Sequence, residues 1–135
     1  MKKIVLLFLT LICLISCQNS HDQTFVGTDI SSVPIDTTFR LKDFNGQIRT
    51  LEDFKGKVVV IFFGFTHCPD ICPTTLTDLK KTMALLKDKA SDVQVIFITL
   101  DPARDTEDVL KKFIPTFNSS FLGLTGSESD INKVI

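Results

Sequence analysis

The sequence has no tryptophan and no tyrosine, so all 12 of its aromatic side chains are phenylalanine. The Trp-Cys-x-x-Cys pattern of the usual redox dithiol is therefore absent. An excess of either charge is lacking too. The net charge is −1 and the isoelectric point near 6.1, with no basic stripe, which argues against nucleic acid as a partner. Histidine occurs only at 21 and 67. No apolar run reaches the roughly 20 residues that a membrane helix needs. At 135 residues the chain has the length of one domain.

The N-terminus has the pattern of a targeting segment. Lys2 and Lys3 precede the apolar run Ile4–Ile15, and Leu14-Ile15-Ser16-Cys17 follows. This resembles the lipobox of bacterial lipoproteins, in which residues 1–16 are a removed signal peptide and Cys17 is lipidated. The plain alternative is an uncleaved N-terminal anchor. Either reading exports the chain. Residues 17–34 are polar and without period, as in a flexible tether, and His21 reads as a solvated linker residue. Cys13 falls in the signal. With Cys17 lipidated, Cys68 and Cys72 remain as free thiols, in a compartment that permits a disulfide.

What the chain does have is Lys57 to Leu76, KVVVIFFGFTHCPDICPTTL. Val58 to Phe63 is an unbroken β-branched and aromatic run, the pattern of a strand buried on both faces, and it predicts the centre of a sheet. Beyond Pro73, Leu76, Leu79, Met83 and Leu86 fall on one helical face. Cys68 and Cys72 thus lie in the turn between a buried strand and a helix. Proline after each cysteine places Cys68 in extended backbone and Pro73 at the first helical position. Amide protons and the helix dipole at that end favour thiolates. Two adjacent thiolates can close a disulfide or grip a soft metal such as Cu(I). An inert structural disulfide is the bland reading, but reactive pairs favour such helix starts.

Around this centre the pattern predicts a hairpin over Phe39–Leu51, turning at Asn45-Gly46. A second apolar strand, Val93–Leu100, implies a right-handed βαβ crossover and parallel pairing. The loop Asp101-Pro102-Ala103-Arg104-Asp105 leaves the same end of the sheet and should face the dithiol. Asp101 reads as a turn residue, and Asp105 or Thr106 as the cap of the next helix. Lys80, Lys81, Lys87, Asp88 and Lys89 read as a solvated face. Leu110, Phe113 and Phe117 are helix-spaced core positions, with Pro115 ending the helix. Phe121–Leu124 reads as a short strand. Ser127–Asp130 starts a helix whose apolar face begins at Ile131, Val134 and Ile135. That helix stops without a cap and no closing strand comes after it, which leads us to expect a partial sequence.

Taken together, Gly64-Phe65-Thr66-His67-Cys68-Pro69-Asp70-Ile71-Cys72-Pro73, Thr99-Leu100-Asp101-Pro102-x-Arg104-Asp105 and Phe121-Leu122-Gly123-Leu124-Thr125-Gly126 resemble the Sco/SenC copper-chaperone family. Phe39-x-Leu41 and Asp53-Phe54-x-Gly56-Lys57 fit it as well. The resemblance spans roughly residues 35–135. It implies an α/β thioredoxin-like fold, a central mixed sheet flanked by helices, with the last part missing. It also implies a membrane-tethered domain on the periplasmic side of a bacterial membrane, holding copper through Cys68, Cys72 and one histidine. Such a domain assists the dinuclear copper site of cytochrome c oxidase, whose copper-site subunit is then the partner. The family's histidine would lie beyond residue 135. His67 belongs to the cysteine motif and reads as a hydrogen-bonding turn residue. Two sulfurs suffice for Cu(I), while Cu(II) suffers without an imidazole. The competing class is a thiol–disulfide oxidoreductase acting on partner cysteines through the same pair. A peroxiredoxin-like enzyme ranks last, because its threonine stands three residues before the reactive cysteine and Thr66 stands two before Cys68.

Overall fold

The computed structural model describes residues 27–32 and 38–135. The signal peptide, Cys13, Cys17, His21 and most of the tether lie outside the described residues. Residues 27–32 form an exposed turn in which the Asp29 carboxylate accepts the Ser31 N–H at 2.9 Å. The unit of residues 35–135 carries the sheet.

Among the described residues of this unit are five strands and three helices. They are β1 Leu41–Asp43, β2 Ile48–Arg49, β3 Val58–Gly64, α1 Ile71–Leu86, β4 Val93–Thr99, α2 Glu107–Phe113, β5 Leu122–Thr125 and α3 Glu128–Asn132. Short 3-10 turns lie at Leu51–Phe54, Lys87–Asp92 and Ile114–Thr116. The strand order is β2-β1-β5-β4-β3. β3, β4 and β5 run parallel, while β1 is antiparallel to both β5 and β2. This is the expected mixed sheet, with helices on its faces.

β4 is the buried centre. Val95 and Phe97 point into one cluster with Leu76 and Met83 of α1, Leu110 of α2, Ile114 and Phe121. Ile96 and Ile98 point the other way, to Phe39, Leu41, Phe54, Leu124 and Ile131 of α3. Alternation along a pleated strand accounts for the two clusters. Each fully buried side chain of this size is worth about 1.5–3 kcal/mol.

The expectation that Val58–Phe63 is the central strand is corrected. β3 is the last strand of the sheet among the described residues, and Val58 is 63% exposed. Its two faces are nonetheless both packed, Val59 and Ile61 on one cluster and Val60 and Phe62 on the other. An apolar run reports cover on the faces of a strand. It carries no information on whether the hydrogen-bonding edge is paired.

The hairpin forms where expected, but through a three-residue loop. The Gly46 N–H donates to Asp43 O at 2.9 Å, the Asp43 N–H to Gln47 O at 2.8 Å, and only Gly46 takes a positive φ, +78°. A turn with a left-handed glycine at its end is the usual three-residue solution. Its organiser is Asp43, fully buried, whose carboxylate accepts from the backbone of Asn45 and Gln47 and from Arg49 Nε at 2.8 Å.

The later elements obey their local signals. Thr106 caps α2 and accepts from the Val109 N–H; Pro115 ends that helix in a 3-10 turn. The Phe113 and Phe117 rings meet edge to face at 5.2 Å. Ser127 caps α3, accepting from the Asp130 N–H at 3.1 Å. α3 runs over Glu128–Asn132, with the Val134 N–H bonded to Ile131 O just after it; Ile135 is exposed, off the expected apolar face. Among the described residues no helix is long and apolar enough to cross a membrane.

Candidate metal and redox site

The parallel register sets Gly64 of β3 beside Thr99 of β4, so both strands end together, and the Leu100 N–H donates to Gly64 O at 2.7 Å. The loops leaving those ends form the site, as the carboxyl edge of a parallel sheet should. Cys68 lies in the loop from β3, half-buried. Cys72 is the second residue of α1 and is buried. Both are free thiols.

The start of α1 explains their chemistry. Asp70 stands at the cap but its side chain makes no capping bond. The Cys68 sulfur takes that place. It accepts the Cys72 N–H at 3.4 Å, and the Cys68 N–H in turn donates to Phe65 O at 3.2 Å. A side-chain acceptor against the second helical N–H is what a helix start lacks. The Cys68 thiol is accordingly pulled below its ordinary range by the Cys72 side chain and by the amides of Cys72, Asp70 and Ile71. Cys72 moves the opposite way. Burial pushes it up, the Cys68 sulfur adds to this, a backbone hydrogen bond from Phe65 opposes it, and the charges of Cys68 and Asp105 push further. The amides at the helix start thus favour charge at Cys68, in the direction the sequence led us to expect, while Cys72 shifts the other way because those amides reach the outer sulfur and the inner one is desolvated. Pro73 is the third helical residue rather than the first. The place is tolerated because amides through the first turn have no helical acceptor in any case.

Gly64 makes room for the inner sulfur. A Cβ at this position would stand 2.9 Å from Phe97 Cε2, 3.1 Å from Cys72 Sγ and 3.2 Å from Phe62 Cε1. Asp105 was missed as a site residue. It does not cap α2, a role that Thr106 takes, but turns inward and is fully buried. Its Oδ2 accepts the Thr66 N–H at 2.9 Å and the Thr99 hydroxyl at 2.7 Å, and its Oδ1 accepts the Thr66 hydroxyl. Asp101 is the turn residue it was expected to be: its carboxylate pairs with Arg104, which holds it below the usual carboxylate range. The His67 ring shares its Nδ1 with the Thr66 hydroxyl at 3.1 Å, 3.8 Å from Asp105 Oδ1. That is the hydrogen-bonding role expected of it.

Among the described residues no three His, Cys, Asp or Glu side chains converge as a metal-binding group. The donor set is two sulfurs, one half-buried and the more acidic, the other buried. Soft donors in low number suit Cu(I) and offer little to hard cations. A groove of this unit lies elsewhere, beside Arg40, Lys42, Glu107 and Lys133, and neither cysteine lines it.

Comparison with known proteins gives one consistent result. The profile of the SCO1/SenC family matches residues 28–135. The SCO2-like protein of Rickettsia felis is 44% identical over 103 residues, which cover 76% of this chain and 50% of that protein. The chain therefore spans half the length of this relative. ScoI of Bradyrhizobium japonicum, solved with copper bound, superposes with a TM-score of 0.71 at 42% identity, over 75% of this chain and 64% of that one. BsSco, described as having a disulfide switch and as belonging to the Sco family of cytochrome c oxidase assembly proteins, matches with a TM-score of 0.61 at 32% identity, over 72% of this chain and 59% of its own.

Proposed function

Because this chain belongs to the SCO1/SenC family, we propose that it is a copper-binding protein of cytochrome c oxidase assembly, holding Cu(I) through Cys68 and Cys72. Its role is to deliver that copper to, or to prepare, the dinuclear copper site of the oxidase subunit. We place it on the periplasmic side of a bacterial membrane, held by a lipid on Cys17 after loss of residues 1–16, with residues 17–34 as the tether.

The observation that carries this reading is the Cys68 sulfur set against the Cys72 amide at 3.4 Å, on an accessible loop and next to a second, buried sulfur. Cu(I) is cargo here. Both sulfurs would ligate deprotonated; the helix-start amides favour that form at Cys68, and Cys72 gives up its proton as the metal enters. Cu(II) would need an imidazole in addition. His67 is the only histidine among the described residues, and its Nδ1 is engaged by Thr66. The test is a strain in which Cys68→Ala replaces the natural chain. It should assemble oxidase that lacks the dinuclear copper site when copper is limiting. Normal copper content in that oxidase would contradict the proposal.

The split acidity of the two thiols favours a second reading, a thiol–disulfide oxidoreductase. The Cys68 thiolate would attack a partner disulfide, releasing one partner thiolate and forming a mixed disulfide. Cys72, losing its proton, would displace the second partner thiolate and close Cys68–Cys72. Two electrons pass from this chain to the partner. Measured exchange with a model disulfide separates the readings: catalytic rates support the oxidoreductase, and slow stoichiometric exchange rules it out.

A further inference from the structure

We propose that Asp105 is a positioning residue of the dithiol, whose carboxylate reaches from the loop after β4 to clamp Thr66 and thereby fixes the segment that carries Cys68. Its copper readout rests on the two-sulfur reading above, and its disulfide readout does not.

Asp105 is completely buried, yet no lysine or arginine pairs with it among the described residues; the His67 Nδ1 stands 3.8 Å from its Oδ1. Three hydrogen bonds meet its charge instead, two from Thr66 and one from Thr99. A buried carboxylate is a costly way to close a loop. The 101–105 loop does not need it, being closed by the N–H groups of Arg104 and Asp105 on Asp101 O at 3.1 and 2.9 Å and by the Asp101–Arg104 pair. What the side chain secures lies across the site, 39 residues back in the chain. Thr66 is pinned at both its N–H and its hydroxyl, two residues before Cys68. Phe65, directly before Thr66, supplies the carbonyl that takes the Cys68 N–H. With Thr66 held, the Cys68 sulfur stays within reach of the Cys72 amide. With Thr66 released, the strand-to-helix segment keeps its local turn bond and loses its tie to the loop after β4.

The test uses the full chain in the reduced state, with three variants. Asp105→Ala removes all three acceptor contacts. Thr66→Val removes the hydroxyl bond and leaves the backbone bond. Asp105→Asn retains an acceptor at the Oδ2 position. Cu(I) affinity is read against a competing chelator, the Cys68–Cys72 disulfide midpoint against a dithiol buffer, and folding by thermal melting. A merely structural Asp105 would lower the melting temperature and leave affinity and midpoint of the folded protein unchanged. The clamp should weaken Cu(I) binding about tenfold in Asp105→Ala, the factor for one charge-assisted hydrogen bond, and about threefold in Thr66→Val. Asp105→Asn should return to within about threefold of the natural chain. Natural affinity and natural midpoint in both folded Asp105→Ala and Thr66→Val overturn the proposal. If Asp105→Ala does not fold, Thr66→Val decides alone. If the natural chain takes up no Cu(I), or Cys68→Ala takes up as much, the function reading fails, and the disulfide midpoint alone then decides the clamp.

Discussion

The backbone N–H of Cys72 points at the sulfur of Cys68, 3.4 Å away. That contact, with the other amides at the start of α1, makes the outer thiol the acidic one, while burial suppresses the inner one. Iodoacetamide should therefore modify Cys68 at pH values below the ordinary thiol range, about 8.5, and spare Cys72 until well above it. A lowered pKa keeps the reactive thiolate present as pH falls, and a raised one delays its appearance as pH rises. Mass spectrometry of the alkylated chain across pH reads both sites. Equal reactivity of the two cysteines would contradict the geometry.

Gly64 leaves the inner sulfur its space. Gly64→Ala should cost about 1–3 kcal/mol, the range for overpacking a filled site, because its Cβ would meet the Phe97 ring and Cys72 Sγ. It should also displace Cys72 and weaken Cu(I) binding. Urea unfolding together with chelator competition checks both effects, and a variant with unchanged stability would show that the strand end yields freely.

Asp43 ties the hairpin. Burial opposes its charge, but Arg49 and the N–H groups of Gln47 and Asn45 outweigh that and hold its carboxyl below the usual range. Its stabilisation is then fully present above the unfolded value of about 3.9 and lost as pH falls through the lower folded value. Asp43→Ala should cost about 2–4 kcal/mol at pH 7, since it strips three donors of their acceptor. It should also flatten the acid limb of stability against pH. An acid limb identical to that of the natural chain would contradict this.

Much of the fold was legible because its signals are local. The hairpin glycine, the period of Leu76, Leu79 and Met83, and the serine and threonine caps each act within a few residues. The site's two sulfurs were legible for the same reason, as neighbours of prolines between a strand and a helix. What escaped depends on long-range placement. The place of β3 as the last strand among the described residues could not be read, because apolar faces report cover and not which strands pair. Asp105 escaped because Asp and Thr side by side both suit a helix cap, and only the parallel register of β3 and β4 brings Thr66 to it. The unequal acidity of the thiols escaped because spacing gives proximity to a helix start but not which sulfur faces the amides.

The central claim is that Cys68 and Cys72 together hold Cu(I), and titration of the reduced chain with Cu(I) under a competing chelator tests it most directly. One equivalent should bind, with affinity rising with pH as Cys72 surrenders its proton, and either Cys68→Ala or Cys72→Ala should abolish tight uptake. Failure of the natural chain to take up Cu(I), or full affinity in Cys68→Ala, would contradict it.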